Sequence, residues 1–442
     1  MFFEPEAVPA ELPKILRQCI AITGWPVWKA RLRSLDKWVE NNPLIEDYLA
    51  EKYPLELEME RTHRRIHLGQ AIGLPETSDQ AALYSLLFMV SRVHQRLSPA
   101  GQRRLAGMIR DCLKAEAGLA PLQYEMLVAA HLMEREFDVT FHDMETGGGF
   151  DILATQNGLE VEVEAKTLSG DVGRKVHKRR LYQLARHVYP TMKRARDLRT
   201  GGQIARVILP GRLLGADQPM REISARLTKV LDGSASDPRP DPCAVEYITF
   251  PLEGSPFQRS HLEPPDQNAV QRYVEERIGR ENVSMFFVAT INRSAVVVTV
   301  ESRQSDAIMD AMVRALKETA KRQLTGTRPG IICVMLTDLK EAELAMIARQ
   351  DASGHPSALQ VATSQLLDRE DWRHLHTVTY MSRGTLVSSQ STCNNTSTQS
   401  ARASGPSYSF TNPHHELAQD EQLTLFRRER TSATTSTITP GT

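Results

Sequence analysis

Acidic side chains recur along one short stretch of this chain, residues 147–166, at a spacing that could hold a metal ion. The stretch, GGGFDILATQNGLEVEVEAK, reads as a β-hairpin with strands over residues 150–155 and 159–166. Asn157 and Gly158 lie between the strands and suit a type I′ turn, because both central residues of that turn need positive φ. A two-residue turn also fixes which residues face each other across the hairpin.

In that register Asp151 lies opposite Glu164. Strand side chains alternate between two faces, so the acids and one lysine share a face. That face carries Asp151, Glu160, Glu162, Glu164 and Lys166, and the other carries Ile152, Val161, Val163 and Ala165. Like charges directly opposed in a sheet are destabilising, and a hard cation such as Mg²⁺ would offset the repulsion by taking carboxylate oxygens. The alternative is an amphipathic edge strand with a solvated acidic face, although glutamate is a poor strand former.

An Asp followed by Glu-x-Lys on the neighbouring strand resembles the signature of the PD-(D/E)XK nuclease superfamily. The resemblance implies a Mg²⁺-dependent phosphodiester hydrolase, in which Mn²⁺ could substitute. It makes Asp151 and Glu164 metal ligands, together with the backbone carbonyl of Ala165. Lys166 would orient or help to deprotonate the attacking water, or would stabilise the developing negative charge.

Glu125 is a further candidate for the catalytic site. Its neighbours at helical spacing are Leu122, Val128 and Ala129, so it lies beside an apolar stripe, where an unpaired acid is costly. The resemblance implies a glutamate on the first core helix that contacts the metal. The alternative is a surface glutamate at the margin of the stripe. Glu162 is a secondary candidate, because it shares the acidic face but lies one pleat farther from Lys166.

The elements around the motif are predicted from periodicity. They are a helix over 121–136, a strand over 137–141, the hairpin, a long helix over 174–199 with a kink or break near Pro190, and a strand over 203–210. The predicted fold class is therefore α/β with an αβββαβ core, and the resemblance implies a restriction-endonuclease-like fold with a mixed central sheet. We expect a helical accessory domain over 1–117, a nuclease core over 118–215 and an additional α/β region over 216–385. Whether strands in the last region extend the nuclease sheet or form their own domain stays open.

The predicted helix after the motif is strongly basic, which suits contact with a polyanion. We predict that DNA phosphates bind to its first cations, which are Arg174, Lys175, Lys178, Arg179 and Arg180. The alternative is a solvated charged face, the commoner role of a charge run.

The segment 386–442 is dominated by Ser, Thr, Asn and Gln, and this composition predicts disorder. Within it lies the apolar sequence QLTLF. This sequence closely resembles the bacterial sliding-clamp-binding motif, in which Gln422 would fill a polar pocket while Leu425 and Phe426 would enter a hydrophobic one, preceded by Leu423. A chance match or a short amphipathic helix is the alternative.

Composition adds few constraints. The 442 residues carry zero formal net charge, are 41% hydrophobic, and contain five scattered cysteines without a CxxC pair, so neither a disulfide framework nor a structural zinc site is expected. We expect a soluble cytoplasmic, nucleoid-associated protein that has no membrane partner. The predicted function is a metal-dependent DNA nuclease in repair, replication-linked processing or defence. The alternatives are an inactive nuclease-fold protein that binds DNA or acts as a scaffold, and an RNA nuclease.

Overall fold

The structure is a computed structural model. It describes residues 11–73, 75–258, 265–281, 283–337, 339, 341–349, 354–368, 372–383, 386–393, 396–403, 407–420 and 423. The chain forms two compact units. Unit 1 comprises residues 1–35, 49–172 and 308–442, and unit 2 comprises residues 36–48 and 173–307.

Helices and strands alternate along most of the described chain. The helices are α1 (Leu12–Thr23), α2 (Trp25–Asn41), α3 (Glu46–Lys52), α4 (Pro54–His67), α5 (Ser78–Arg96), α6 (Pro99–Lys114), α7 (Ala120–Glu134), α8 (His142–Thr146), α9 (Lys178–Leu198), α10 (Asp217–Gly233), α11 (Gln267–Ile278), α12 (Ile308–Arg322), α13 (Glu341–Ala348) and α14 (Ala358–Leu367). The strands are β1 (Asp138–Phe141), β2 (Ile152–Gln156), β3 (Leu159–Leu168), β4 (Gly201–Leu209), β5 (Ala244–Phe250), β6 (Ser284–Thr290), β7 (Ser294–Ser302), β8 (Gly330–Leu336), β9 (Leu375–Ser382), β10 (Leu386–Cys393), β11 (Thr396–Ala403) and β12 (Ser407–Thr411).

Unit 1 is built on a six-stranded mixed sheet with the order β1-β2-β3-β8-β9-β12. The pairs β1–β2, β2–β3 and β9–β12 are antiparallel, whereas β3–β8 and β8–β9 are parallel. Parallel neighbours need a crossover connection, and α12 lies between β3 and β8 along the part of the chain that belongs to this unit. Strand β3 therefore lies inside the sheet, with a hydrogen-bonded neighbour on each side.

The β2–β3 hairpin has the predicted register. Asn157 and Gly158 both have positive φ, at 52° and 82°, as a type I′ turn requires. Ile152 pairs with Val163 and Gln156 pairs with Leu159, so Asp151 comes opposite Glu164 at the open end of the hairpin. The predicted alternation of faces is also confirmed, because Val161 and Val163 lie in the hydrophobic core of one face of the sheet.

Two apolar layers cover the sheet of unit 1. Side chains of α1, α5, α6 and α7 pack with one face, together with residues of β1 to β3. Side chains of α12 and α14 pack with the other face, against the alternate residues of β8 such as Ile332 and Val334. Both faces are buried, which is why β8 reads as a continuous apolar run.

Unit 2 is a four-stranded mixed sheet with the order β5-β4-β7-β6. Strands β4 and β7 are parallel, and the two outer strands are antiparallel to their neighbours. Helices α9 and α10 cover one face and α11 covers the other. Helix α9 continues through Pro190 without the predicted break.

The predicted identity of the last two core elements is wrong. Strand β4, expected beside the hairpin, lies in the sheet of unit 2, and the basic helix α9 packs there as well. The strand that pairs with β3 is β8, over Glu162 to Leu168. The open question about the later α/β region is thus answered in two parts, because β6 and β7 belong to unit 2 whereas β8 and β9 extend the sheet of the motif. Within unit 1 alone, the order α7-β1-β2-β3-α12-β8 is αβββαβ.

Disorder over residues 386–442 is contradicted for the described part of that segment. Strands β10 and β11 form a hairpin, and β12 completes the edge of the unit 1 sheet beside β9. Phe410 and Asn412 are buried, and the Asn412 amide donates hydrogen bonds to the backbone carbonyls of Trp372 and Leu375. None of the described helices has the length and apolar character that a membrane crossing requires.

Candidate functional site

The end of the β2–β3 hairpin brings Asp151 and Glu164 together. The backbone N–H of Ala165 donates to Asp151 Oδ2 at 2.7 Å, which fixes the Asp151 carboxylate against β3. A hydrogen bond from the Glu164 side chain also reaches Asp151 and opposes the rise in the pKa of Asp151. The opposed pair expected from the sequence is therefore present in the structure.

The three alternating glutamates of β3 have different surroundings. Glu160 is exposed and pairs with Arg328, whose Nε lies 2.6 Å from Glu160 Oε2. Glu162 is fully buried, but its Oε2 accepts the Thr325 N–H at 2.8 Å, and its Oε1 contacts the Thr325 hydroxyl and the Arg328 guanidinium. These two acids are therefore neutralised by the loop that precedes β8, and Glu162 has a structural role in place of the secondary catalytic role.

Glu164 is the exception among them. It is 4% exposed, and its Oε2 is buried without a hydrogen-bond partner in the described structure. Burying an unpaired carboxylate is costly, so such a group either keeps a proton or binds a cation. The arrangement therefore leaves one carboxylate oxygen of β3 available at the open end of the hairpin.

Glu125 lies in the buried helix α7. Its side chain is 5% exposed and its Oε1 has no hydrogen-bond partner within the described residues, which rules out the surface alternative. The start of α7 is held by Glu56, whose Oε1 accepts the Leu119 N–H at 3.2 Å. A second orphan carboxylate oxygen is thus carried by a helix that is fixed at its first turn.

The carboxyl groups affect one another's ionisation. Burial, and then the charges of Asp151, Asp143 and Glu164, raises the pKa of Glu125 well above its usual range. Burial and then the charge of Asp151 raise the pKa of Glu164 to about 9. Burial raises the pKa of Asp151 to about 7, against the lowering effect of the Ala165 N–H. Mutual elevation of this kind shows that the four groups share one poorly solvated neighbourhood.

Asp143 was missed by the sequence analysis. It lies in α8, immediately after β1, and burial raises its pKa to about 6. The signal that could have found it is the pairing of β1 with β2. Phe141 lies opposite Ile152, so an acid just beyond Phe141 comes beside Asp151.

Lys166 is half-buried on β3, two residues after Glu164. Its positive charge lowers the pKa of both Asp151 and Glu164, opposing the effect of burial. The structure thus brings together Asp151, Glu164, Lys166 and Glu125, the four predicted catalytic residues. Ala165, whose carbonyl was a predicted metal ligand, contributes its N–H to Asp151.

The donor set suits a hard divalent cation. Two buried carboxylate oxygens lack partners, and all the nearby acceptors are oxygens, which Mg²⁺ and Mn²⁺ prefer. In their present side-chain conformations, however, no three His, Cys, Asp or Glu residues of the described chain are grouped closely enough to hold a metal ion. Binding would therefore require the carboxylates to turn toward a common centre.

Comparisons with known proteins found no match to this chain among family models, curated proteins or solved structures. The site must therefore be interpreted from its own geometry and chemistry.

The predicted DNA-binding cations all lie in unit 2. Arg174 and Lys175 precede α9, while Lys178, Arg179 and Arg180 form its first turn, and all five are half-buried. Several contacts within unit 2 use these and later cations of the run. The Lys175 N–H donates to Asp306, Arg179 lies over the Trp38 ring, and Arg194 pairs with Asp232. Their DNA-binding role stays a prediction.

Most of the QLTLF sequence lies outside the described residues. Those residues are Gln422, Thr424, Leu425 and Phe426. Leu423 is described and is fully buried in the core that α7 and β3 share. A partner groove could bind Leu423 only if this side chain left that core.

The neutralisation of Glu162 provides a test of the structural assignment. We expect Arg328→Ala to lower the free energy of unfolding by about 1–2 kcal/mol, because Glu162 stays buried with one partner fewer. Urea unfolding would measure the change. The control is Arg322→Ala, which removes a salt bridge to the exposed Glu318 and should cost less than about 1 kcal/mol. Equal effects of the two substitutions would contradict the structural role of Arg328.

Proposed function

We propose that this chain is a metal-dependent nuclease that hydrolyses phosphodiester bonds in DNA. The observation that carries the proposal is the difference among the glutamates of β3. Glu160 and Glu162 are paired with Arg328, whereas Glu164 keeps a buried, unpartnered oxygen opposite Asp151 and near Lys166. A purely structural acidic strand would have no reason to leave this one carboxylate unsatisfied.

A bound divalent cation would supply Lewis acidity and would lower the pKa of a coordinated water. Asp151 and Glu164 would hold it, and Glu125 would contribute from α7. The Lys166 ammonium would hold the attacking water or stabilise the negative charge that develops on the phosphate. These residues surround one poorly solvated position, where electrostatic interactions are strong.

The arrangement of elements supports the same proposal. The motif resembles that of the PD-(D/E)XK nuclease superfamily, and unit 1 has the element order αβββαβ expected for that resemblance. The motif residues lie on the hairpin of that order, and the added acid lies on its first helix. Fold alone does not establish activity, so the proposal depends on the site.

Two alternative functions would use the same fold. A nuclease-like protein without activity could bind DNA through its basic residues, and an RNA nuclease could use the same carboxylates. The unpaired oxygens of Glu164 and Glu125 favour an active metal site over an inactive scaffold, because a scaffold gains nothing from burying them. Recruitment by a sliding clamp stays a prediction, and the burial of Leu423 counts against it.

A cleavage assay on the full chain tests the proposal. We expect cleavage of DNA with Mg²⁺ or Mn²⁺ and none with a chelator, measured on end-labelled single-stranded, double-stranded and branched DNA. Matched RNA substrates run in parallel would identify the RNA alternative. Metal-dependent binding without cleavage of any substrate would overturn the proposal in favour of the inactive scaffold.

A further inference from the structure

A short helix places an additional acid beside the candidate site. Helix α8 connects β1 to the triple glycine of residues 147–149 and carries Asp143. The residue before Asp143 donates its backbone N–H to the Asp151 carbonyl at 2.8 Å. The backbones that carry Asp143 and Asp151 are therefore joined directly.

Helix α6 holds α8 in this position. The Ser98 N–H and hydroxyl donate to the Glu145 carboxylate at 2.9 and 2.5 Å. The Arg104 guanidinium donates to the carbonyls of Met144 and Glu145 at 2.8 and 2.6 Å. A five-residue helix would have little stability alone, so these bonds determine where Asp143 lies.

Asp143 interacts with every other carboxyl of the site. Its negative charge raises the pKa of Glu125, Asp151 and Glu164. One of its own oxygens accepts the Met144 N–H at 2.6 Å, which fixes the side chain on the last turn before the glycines. Four carboxylates facing one ammonium carry more negative charge than the lysine neutralises.

We propose that Asp143 is a further ligand of the divalent cation, and that Ser98 and Arg104 are the residues that position it. This inference rests on the proposed function, because it needs a cation at Asp151 and Glu164. The unpartnered, buried oxygens of Glu125 and Glu164 are the independent observation that a ligand belongs in this cluster. Asp143 then accounts for the attachment of α8 to α6, which the sequence motif does not explain.

Direct titration with Mn²⁺ by calorimetry, without substrate, tests the inference. Asp143→Asn keeps an oxygen that can accept the Met144 N–H and should weaken Mn²⁺ binding by about tenfold or more. The matched control is Asp138→Asn, the same change on the exposed first residue of β1, which should bind Mn²⁺ as the parent does. Asp143→Ser, with a hydroxyl acceptor at the same position, should reproduce the loss if one variant fails to fold, and melting in chelator checks folding.

The outcomes separate the two proposals. If the parent binds Mn²⁺ and both Asp143 variants bind it equally well, Asp143 is not a ligand, and the proposed function is unaffected. If the parent binds no Mn²⁺ at all, the metal-dependent function and this inference are both overturned. Weak binding by the Asp143 variants with normal binding by Asp138→Asn supports both.

Discussion

Glu164→Gln is expected to reduce metal-dependent DNA cleavage on the order of a thousandfold or more. The amide keeps the shape of the side chain but lacks the negative charge that a cation requires. The measurement is the single-turnover cleavage rate with saturating Mg²⁺ on the best substrate found for the parent. Asp151→Asn should have a comparable effect, because it removes charge from the opposite side of the same hairpin.

The chain offers a closely matched control for this substitution. Glu160→Gln makes the same change on the same strand and face, at a residue that is exposed and paired with Arg328. We expect it to cleave at the parental rate. If Glu160→Gln and Glu164→Gln lose activity equally, the distinction between paired and unpaired glutamates does not identify the catalytic one.

Lys166 should separate binding from chemistry. Lys166→Ala retains all four carboxylates, so Mn²⁺ binding should persist or strengthen as a competing positive charge is removed. Cleavage should fall by about two orders of magnitude or more, since the ammonium that acts on the water or the phosphate is lost. A variant that cleaves normally would remove Lys166 from the catalytic assignment.

The second large effect is an unusual dependence of stability on pH. A carboxyl whose pKa is raised by folding binds its proton more tightly in the folded state than in the unfolded chain. Its stabilising contribution is complete at low pH, and it is lost as the pH rises through the folded-state pKa. The folded-state pKa values of Asp143, Asp151 and Glu164 are about 6, 7 and 9. We therefore expect the metal-free protein to lose stability progressively from about pH 6 to pH 9.

Thermal melting in chelator at pH 6, 7, 8 and 9 measures this effect. The melting temperature of unit 1 should fall by roughly 5 °C or more across the range, and Mg²⁺ or Mn²⁺ should restore it most strongly at high pH, where protons no longer compete. Glu164→Gln should flatten the upper part of the profile, because the amide does not ionise. A profile that Glu164→Gln and added metal both leave unchanged would contradict the shared, poorly solvated site.

Local turn chemistry explains why the hairpin could be predicted correctly. Asn157-Gly158 selects a two-residue turn, and the alternation of valine and glutamate then allows one register only. Asp151, Glu164 and Lys166 were found because their positions follow from this local geometry. Glu125 was found because a helical period places it beside apolar residues, although its complete burial depends on packing that periodicity does not report.

The missed features all depend on contacts between distant segments. Helix α9 and strand β4 are of the right types and follow β3 directly, but no local pattern reveals that β4 pairs with β5 and β7. The pairing of Glu162 with Arg328 spans 166 residues. Composition predicted disorder after residue 386, yet β12 gains its stability from β9 and from the buried amide of Asn412.

The position of unit 2 in the chain has a consequence for synthesis on the ribosome. Strand β3 is complete at Leu168, but its parallel partner begins only at Gly330. At about 5–20 residues per second, the growing chain carries the hairpin for roughly ten to thirty seconds with one edge unpaired. Charged side chains on an open edge discourage it from joining other chains. Until Arg328 is translated, Glu160 and Glu162 therefore protect the nascent hairpin from aggregation, and only afterwards do they join the finished interior.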